Sequence, residues 1–159
     1  MKEVLGWIRR RKIHMDQLAQ FKAKFRIEEL LLLRTRCWTW SLRPAQCTLG
    51  SGILSLNRYC ESLSQVSSDE AVDLLQIVVP LEAALRRTFK FDKINYLMLM
   101  MVDSHLHYHV IPRYSAARVF AGQEWNDDGW PSLPMLGAEI PPENLLTELK
   151  HDLQSALGS

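Results

Sequence analysis

The sequence predicts an α+β fold: an antiparallel sheet of about five strands, one long kinked helix across a face, and a second helix near the carboxy terminus. Three stretches predict it. From His105 to Tyr114, histidines alternate with apolar residues at period two, as a strand with one dry face requires. From Ser67 to Phe89, apolar residues recur at helical spacing behind a capping sequence. Between these, Tyr96-Leu97-Met98-Leu99-Met100-Met101 is continuous and apolar, the pattern of a strand buried on both faces.

A chain of 159 residues with 47% apolar and 23% charged content fits one globular unit with a real core. It divides into a basic amino-terminal arm over 1–26, a main unit over 27–120, and a loop or lid with a helix over 121–159. The net charge of +1 argues for neither nucleic acid nor membrane as a partner. No apolar run reaches the ~18 residues of a spanning helix. Cys37, Cys47 and Cys60 are odd in number and lack CxxC spacing, which suits a reducing cytoplasm rather than a disulfide framework.

In the arm, Lys2, Arg9, Arg10, Arg11, Lys12, Lys22, Lys24 and Arg26 face only Glu3 and Asp16. No apolar stretch follows the basic cluster as in a secretory signal, so a solvated helical arm is expected. Met15 offers an alternative start. Glu29–Arg43 reads as strand, ended by Pro44, and Thr48–Leu56 as its antiparallel partner, with Gly50 and Gly52 permitting close backbone approach. Trp38 and Trp40 lie on the first of these, where tryptophan commonly packs in a core but also suits stacking on a base.

The long helix opens with a capping box, Ser67-x-x-Glu70. Its stripe is Leu74, Leu75, Val78, Leu81, Ala84, Leu85 and Phe89, with Arg86 and Arg87 in its last turn and Pro80 predicting a kink. The apolar strand then spans Asn95–Val102, and Asp103-Ser104 turns the chain into the histidine strand. Trp125, Asp127, Asp128, Gly129, Trp130, Pro131 and Pro134 make 120–136 an ordered loop or lid. After Pro141-Pro142 a final helix carries Leu145, Leu146, Leu149, Leu153 and Leu157 on one side, with His151 among surface charges.

Three of the five histidines, His105, His107 and His109, share one face of their strand. A tolerant surface is one reading of them, and it fits strict alternation poorly. A metal pair is a second, but His105 and His109 lie about 13 Å apart along a strand, too far for all three to meet one ion. In the third, His107 is a nucleophile, since a neutral imidazole attacks near pH 7 when a neighbour fixes its tautomer.

His105-Leu106-His107-Tyr108-His109-Val110-Ile111 resembles the signature of the histidine triad (HIT) family in full, and Pro112-Arg113-Tyr114 is similar too. The resemblance covers about residues 30–115. It implies a HIT-like fold, a homodimer packed through its sheets and long helices, and a nucleotide substrate attacked at its α-phosphate by His107. A nucleotidyl-histidine would form and be hydrolysed. His105 would fix tautomer and geometry, and His109 would bond a phosphate oxygen or the His107 ring. Asn95 and Ser104 would serve the phosphates, Ser41 the ribose, and Trp40 the base.

No cofactor is required for the attack, although a divalent cation suits a polyphosphate substrate. The chain departs from many members in having Ser41 where an acid or amide holds the ribose. It has Asn57-Arg58-Tyr59 where a histidine follows the second strand, and Val102-Asp103 in place of a Gly-Gln pair. Lone Cys37 does not match the cysteine-bearing zinc type. This pattern resembles compact bacterial diadenosine-polyphosphate-hydrolase-like members, which implies cleavage of dinucleoside polyphosphates, with Arg43, Arg58 or Arg113 screening the leaving group. A phosphoramidate hydrolase and a nucleotide binder with little turnover are the alternatives.

Overall fold

In the computed structural model, which describes residues 2–158 and the side chains of 11–158, five strands form one antiparallel sheet. The side chains of Lys2, Glu3, Arg9 and Arg10, part of the basic arm, lie outside the described residues. The chain runs α1 (Lys2–Lys24), β1 (Leu31–Arg34), β2 (Trp38–Leu42), β3 (Gly52–Leu56), α2 (Ser68–Phe89), β4 (Lys93–Leu97) and β5 (His107–Arg113). The hairpin β6 (Arg118–Phe120) and β7 (Gln123–Trp125) follows, and α3 (Glu143–Leu157) ends the fold. Strand order is β1-β2-β3-β5-β4. The α+β class and the five-stranded sheet are as the sequence predicts.

Pleat parity sorts the strand residues into two layers. Trp38, Trp40, Leu54, Leu56, Leu106 and Val110 belong to the main core, together with Ile77, Leu81, Ala84 and Leu85 of α2. Helix α3 adds Leu146, Leu149 and Leu153 to that core and packs against α2 and β1. The capping box forms: Glu70 N–H donates to Ser67 Oγ at 3.3 Å, and Ser67 N–H donates to the Glu70 carboxylate at 2.9 Å. Arg58 donates to the same carboxylate at 2.5 and 2.8 Å and drives its pKa down to about 2. Helix α2 runs through Pro80 without a break, although proline offers no amide there.

Several elements differ from expectation. Leu75 is 65% exposed and Ile77 takes the inward place. Two residues turn a helix by about 200°, so both cannot face the sheet. Glu29–Arg43 is a hairpin, not one strand: Asp73 accepts from Thr35 Oγ1 and from Cys37 N–H, both at 2.7 Å, and folds 35–37 into its turn. The second strand begins at Gly52 because 48–51 is a turn; there Gly50 has φ +81 and lies so close to Phe89 that a Cβ would meet its ring at 2.8 Å.

The apolar strand is corrected most. It spans Lys93–Leu97 and is half-buried at the sheet edge, not buried on both faces. Met98–Val102 leave the sheet, with Met101 91% and Val102 88% exposed. The ladder with β5 ends at Leu97↔His109, so nothing pairs the chain beyond it. Asp103-Ser104 is accordingly part of a longer connection, not a tight turn. His105 precedes β5, yet Leu106 donates to Cys60 O at 2.7 Å and accepts from Leu56 N–H at 3.3 Å. Those bonds tie the segment around His105 to β3 and the chain that follows it.

Candidate functional site

The register of the sheet assembles one face. Cross-strand pairs Ser55↔His107, Ile53↔His109, Thr39↔Ser55 and Ser41↔Ile53 place these side chains together, with Asn95 and Leu97 of β4 beyond. His105, His107 and His109 are all buried there, His107 to 0% exposure.

Hydrogen bonding fixes the three tautomers. The His105 carbonyl can only accept, so His107 Nδ1, 2.7 Å away, carries the proton and donates to it. His107 Nε2 therefore holds a lone pair. His109 Nε2, at 3.3 Å, must donate to that lone pair, which leaves His109 Nδ1 bare, and that atom has no protein partner. His105 Nε2 donates to Leu56 O at 2.9 Å, while its Nδ1 accepts from Cys60 N–H at 3.4 Å. With all three imidazoles neutral, each of these contacts pairs one donor with one acceptor. Burial favours the neutral form, because it disfavours charge. It holds His107 below the ordinary imidazole range and His105 down to about 4. Burial, then the neighbouring His107 and the charge of Arg43, takes His109 down to about 4.

Helix α1 closes this face from above. Its last turns end in a Schellman motif, with Ile27 N–H donating to Lys22 O at 2.9 Å and Arg26 N–H to Ala23 O at 3.1 Å. Arg26 holds the left-handed position at φ +50, where glycine is favoured. This places Phe21 with ring centroids 4.8 Å from His105 and 5.0 Å from His107, and Phe25 5.7 Å from His107 and 5.9 Å from His109. Phe21, Phe25, Ile27 and Ile53 form a second small apolar cluster. The end of the helix is therefore no solvated arm. Lys24 Nζ reaches both Asp103 oxygens, at 2.9 and 2.7 Å, tying α1 to the segment before the histidines.

Of the residues expected to bind substrate, the structure brings some to this face and not others. Ser41 is there, fully buried, its Oγ without a protein partner. Trp40 is not: it faces the opposite layer, 0% exposed in the main core, because it is one residue out of phase with Ser41. Asn95 is on the histidine face, where its Oδ1 accepts from Arg113 Nη1 at 2.8 Å. Ser104 lies beside the histidines, with Oγ 3.0 Å from Tyr59 Oη. Tyr59 Oη donates to Glu61 at 2.5 Å, so Ser104 is the donor to Tyr59.

Arg113 is committed to Asp127, which accepts from its Nε at 2.6 Å and Nη2 at 3.1 Å with both side chains buried. Arg58 is committed to Glu70. Arg43 donates to the Ala45 and Leu136 carbonyls and is the arginine whose charge reaches His109. Phe21, Phe25, Tyr59 and Lys24 enter the site unannounced; the i, i+4 spacing of the two phenylalanines was the available signal. Tyr59 stands where the resemblance leads one to expect a histidine, and its ring stacks on His105 at 5.6 Å and 17°. Among the described residues no group of three or more His, Cys, Asp or Glu side chains is placed to hold a metal ion.

No protein-family model matches the chain, and no curated protein does. Solved structures do. A histidine triad protein from Sinorhizobium meliloti is 20% identical, covers 82% of this chain and 93% of its own, and superposes with a TM-score of 0.65. A hypothetical histidine triad nucleotide-binding protein from Sulfolobus tokodaii is 14% identical over 81% of this chain and 83% of its own, with a TM-score of 0.62. A zinc-bound histidine triad family protein from Mycobacterium smegmatis is 15% identical over 81% and 84%, with a TM-score of 0.55. At such identities the likeness speaks for the fold: this chain has the fold of the histidine triad proteins.

Proposed function

We propose that the protein is a nucleotide hydrolase in which His107 Nε2 attacks the α-phosphorus of a dinucleoside polyphosphate. The observation that carries this reading is the 2.7 Å bond from His107 Nδ1–H to the His105 carbonyl, which leaves a lone pair on Nε2 at neutral pH. As the P–N bond forms, the P–O bond to the remaining polyphosphate breaks and its electron pair leaves with that oxygen. The imidazole becomes cationic, and the His105 carbonyl stabilises the Nδ1 proton. His109 Nε2–H, released from its bond to Nε2, turns to a non-bridging phosphate oxygen. Water then attacks the nucleotidyl-histidine, releasing a mononucleotide and restoring His107. Arg43, whose charge reaches His109, screens the phosphates in this reading, Ser41 faces the ribose, and Ser104 and Asn95 assist the phosphates. A divalent ion, where used, arrives with the polyphosphate.

Two copies act together in this reading: β4 is a sheet edge followed by exposed Leu99, Met101 and Val102, and α2 presents exposed Val72, Leu75 and Val79. Sedimentation at micromolar concentration is expected to give a homodimer. Three free thiols fit a cytoplasmic setting. Rapid quench with α-labelled diadenosine tetraphosphate is expected to trap an acid-labile adduct in the wild type and none in His107→Ala. On one preparation, kcat/KM for that substrate should exceed that for an adenosine phosphoramidate at least about tenfold, or about 1.4 kcal/mol. An adduct that persists in His107→Ala removes the nucleophile; a ratio favouring the phosphoramidate removes only the substrate. The complete burial of His107 favours a second reading, a nucleotide binder with little turnover. Calorimetric binding of AMP without product above background would select it.

A further inference from the structure

A phosphorus atom must come within bonding distance of His107 Nε2, yet His107 has no exposed surface. The rings of Phe21 and Phe25 stand beside it. A cavity of about 380 Å³ opens between α1 and Val102–His105, and Phe21 and His105 are in its wall. The His107 ring lies 5.0 Å from the Phe21 ring. The cover belongs to a helix packed through Phe21, Phe25 and Ile27 against Ile53 and tied to the segment before the histidines by a partly exposed ion pair, Lys24–Asp103 at 2.7 Å. Such a pair is worth only about 0–1 kcal/mol. Two residues past Lys24 the helix is capped at Arg26, a non-glycine residue with φ +50 whose guanidinium pairs with Glu29 and Glu143. Two rings on one helix end cover His107, a weak ion pair sits at their edge, and a cavity opens behind them; together these describe a device that opens.

We propose that the last two turns of α1 form a lid over His107, with Phe21 and Phe25 as its inner surface and Lys24–Asp103 as its latch. The closed state withholds the nucleophile from water and substrate, and opening at the latch joins the 380 Å³ cavity to the histidine face. The role of the lid rests on His107 being the nucleophile; its existence does not.

Diethyl pyrocarbonate at pH 7, with peptide mass spectrometry, reads the lid directly. All three triad imidazoles are neutral there, so access sets their acylation rates. Exposed His151 is the internal reference. In the wild type His107 is expected to react at least about tenfold more slowly than His151, as a minor open state requires. Lys24→Asp and Asp103→Lys, each placing like charges at the latch, should speed His107 about threefold or more, and the double swap should return it toward the wild-type rate. Unchanged melting temperatures separate lid opening from unfolding. Fast acylation of His107 in the wild type, indifference to either single swap, or failure of the double swap to restore protection overturns the lid. If the swaps behave as expected but no nucleotidyl adduct forms in any variant, the lid stands and the nucleophile falls. If an adduct forms while acylation ignores the latch, the nucleophile stands and the lid falls.

Discussion

The Arg113–Asp127 pair joins the histidine strand to the loop after β7, and its removal should be costly. Both side chains are almost wholly buried, at 4% and 1% exposure. Asp127 accepts three bonds, from Arg113 Nε at 2.6 Å, Arg113 Nη2 at 3.1 Å and Tyr114 N–H at 3.2 Å. Asp127→Ala leaves the guanidinium with Asn95 Oδ1 and Ser132 O, both neutral, and strands a buried positive charge. Breaking a buried pair from one side costs about 3–5 kcal/mol. For a chain of this size that lowers Tm by roughly 6–20 °C. Urea unfolding followed by tryptophan fluorescence measures the loss. Arg113→Met in the Asp127→Ala background removes the stranded charge and should recover at least about half of it, since apolar replacement of a whole pair is often neutral. A loss below about 1 kcal/mol for Asp127→Ala, or no recovery in the double variant, would refute the claim that burial makes this pair matter.

Two further predictions concern the histidine face and the core behind it. His105 and His109 are held down to about 4, against about 6.5 unfolded, so the unfolded state binds more protons and stability falls as pH drops through that window. Urea midpoints should fall between pH 7 and pH 5 by the equivalent of about 2 kcal/mol per histidine, before carboxylates such as Glu70 titrate; a flat profile there would deny their neutral burial. Trp40→Phe should cost about 1–3 kcal/mol through lost core packing while KM for nucleotide changes less than about twofold. A rise in KM without loss of stability would return Trp40 to the base.

The order of elements was legible because the signals were local. Alternation at 105–110 fixed which side chains share a face, and the capping box at Ser67–Glu70 fixed where α2 begins. What failed depended on partners distant in sequence. Tyr96–Met101 carries the hydrophobicity of a central strand, but whether a strand is central is decided by a neighbour on each side, and β4 has one. Trp40 was a parity error: register is set by pairing with β3, and a shift of one residue exchanges Trp40 and Ser41 between core and site. Asp127 sits among turn residues, and nothing near it in sequence announces Arg113.

The lid was hidden for a different reason. Charge dominates residues 1–26, because long basic side chains outnumber acids there and suit a solvated helix. Charge on a helix, however, says only what its outer face tolerates. Phe21 and Phe25 are four apart and project from one side, and that pair with Ile27 is enough apolar surface to bury two turns. This packing holds the end of α1 against the histidine face. It also puts the ion pair that ties this patch to the segment before the histidines, Lys24–Asp103, in a position to decide whether His107 is covered.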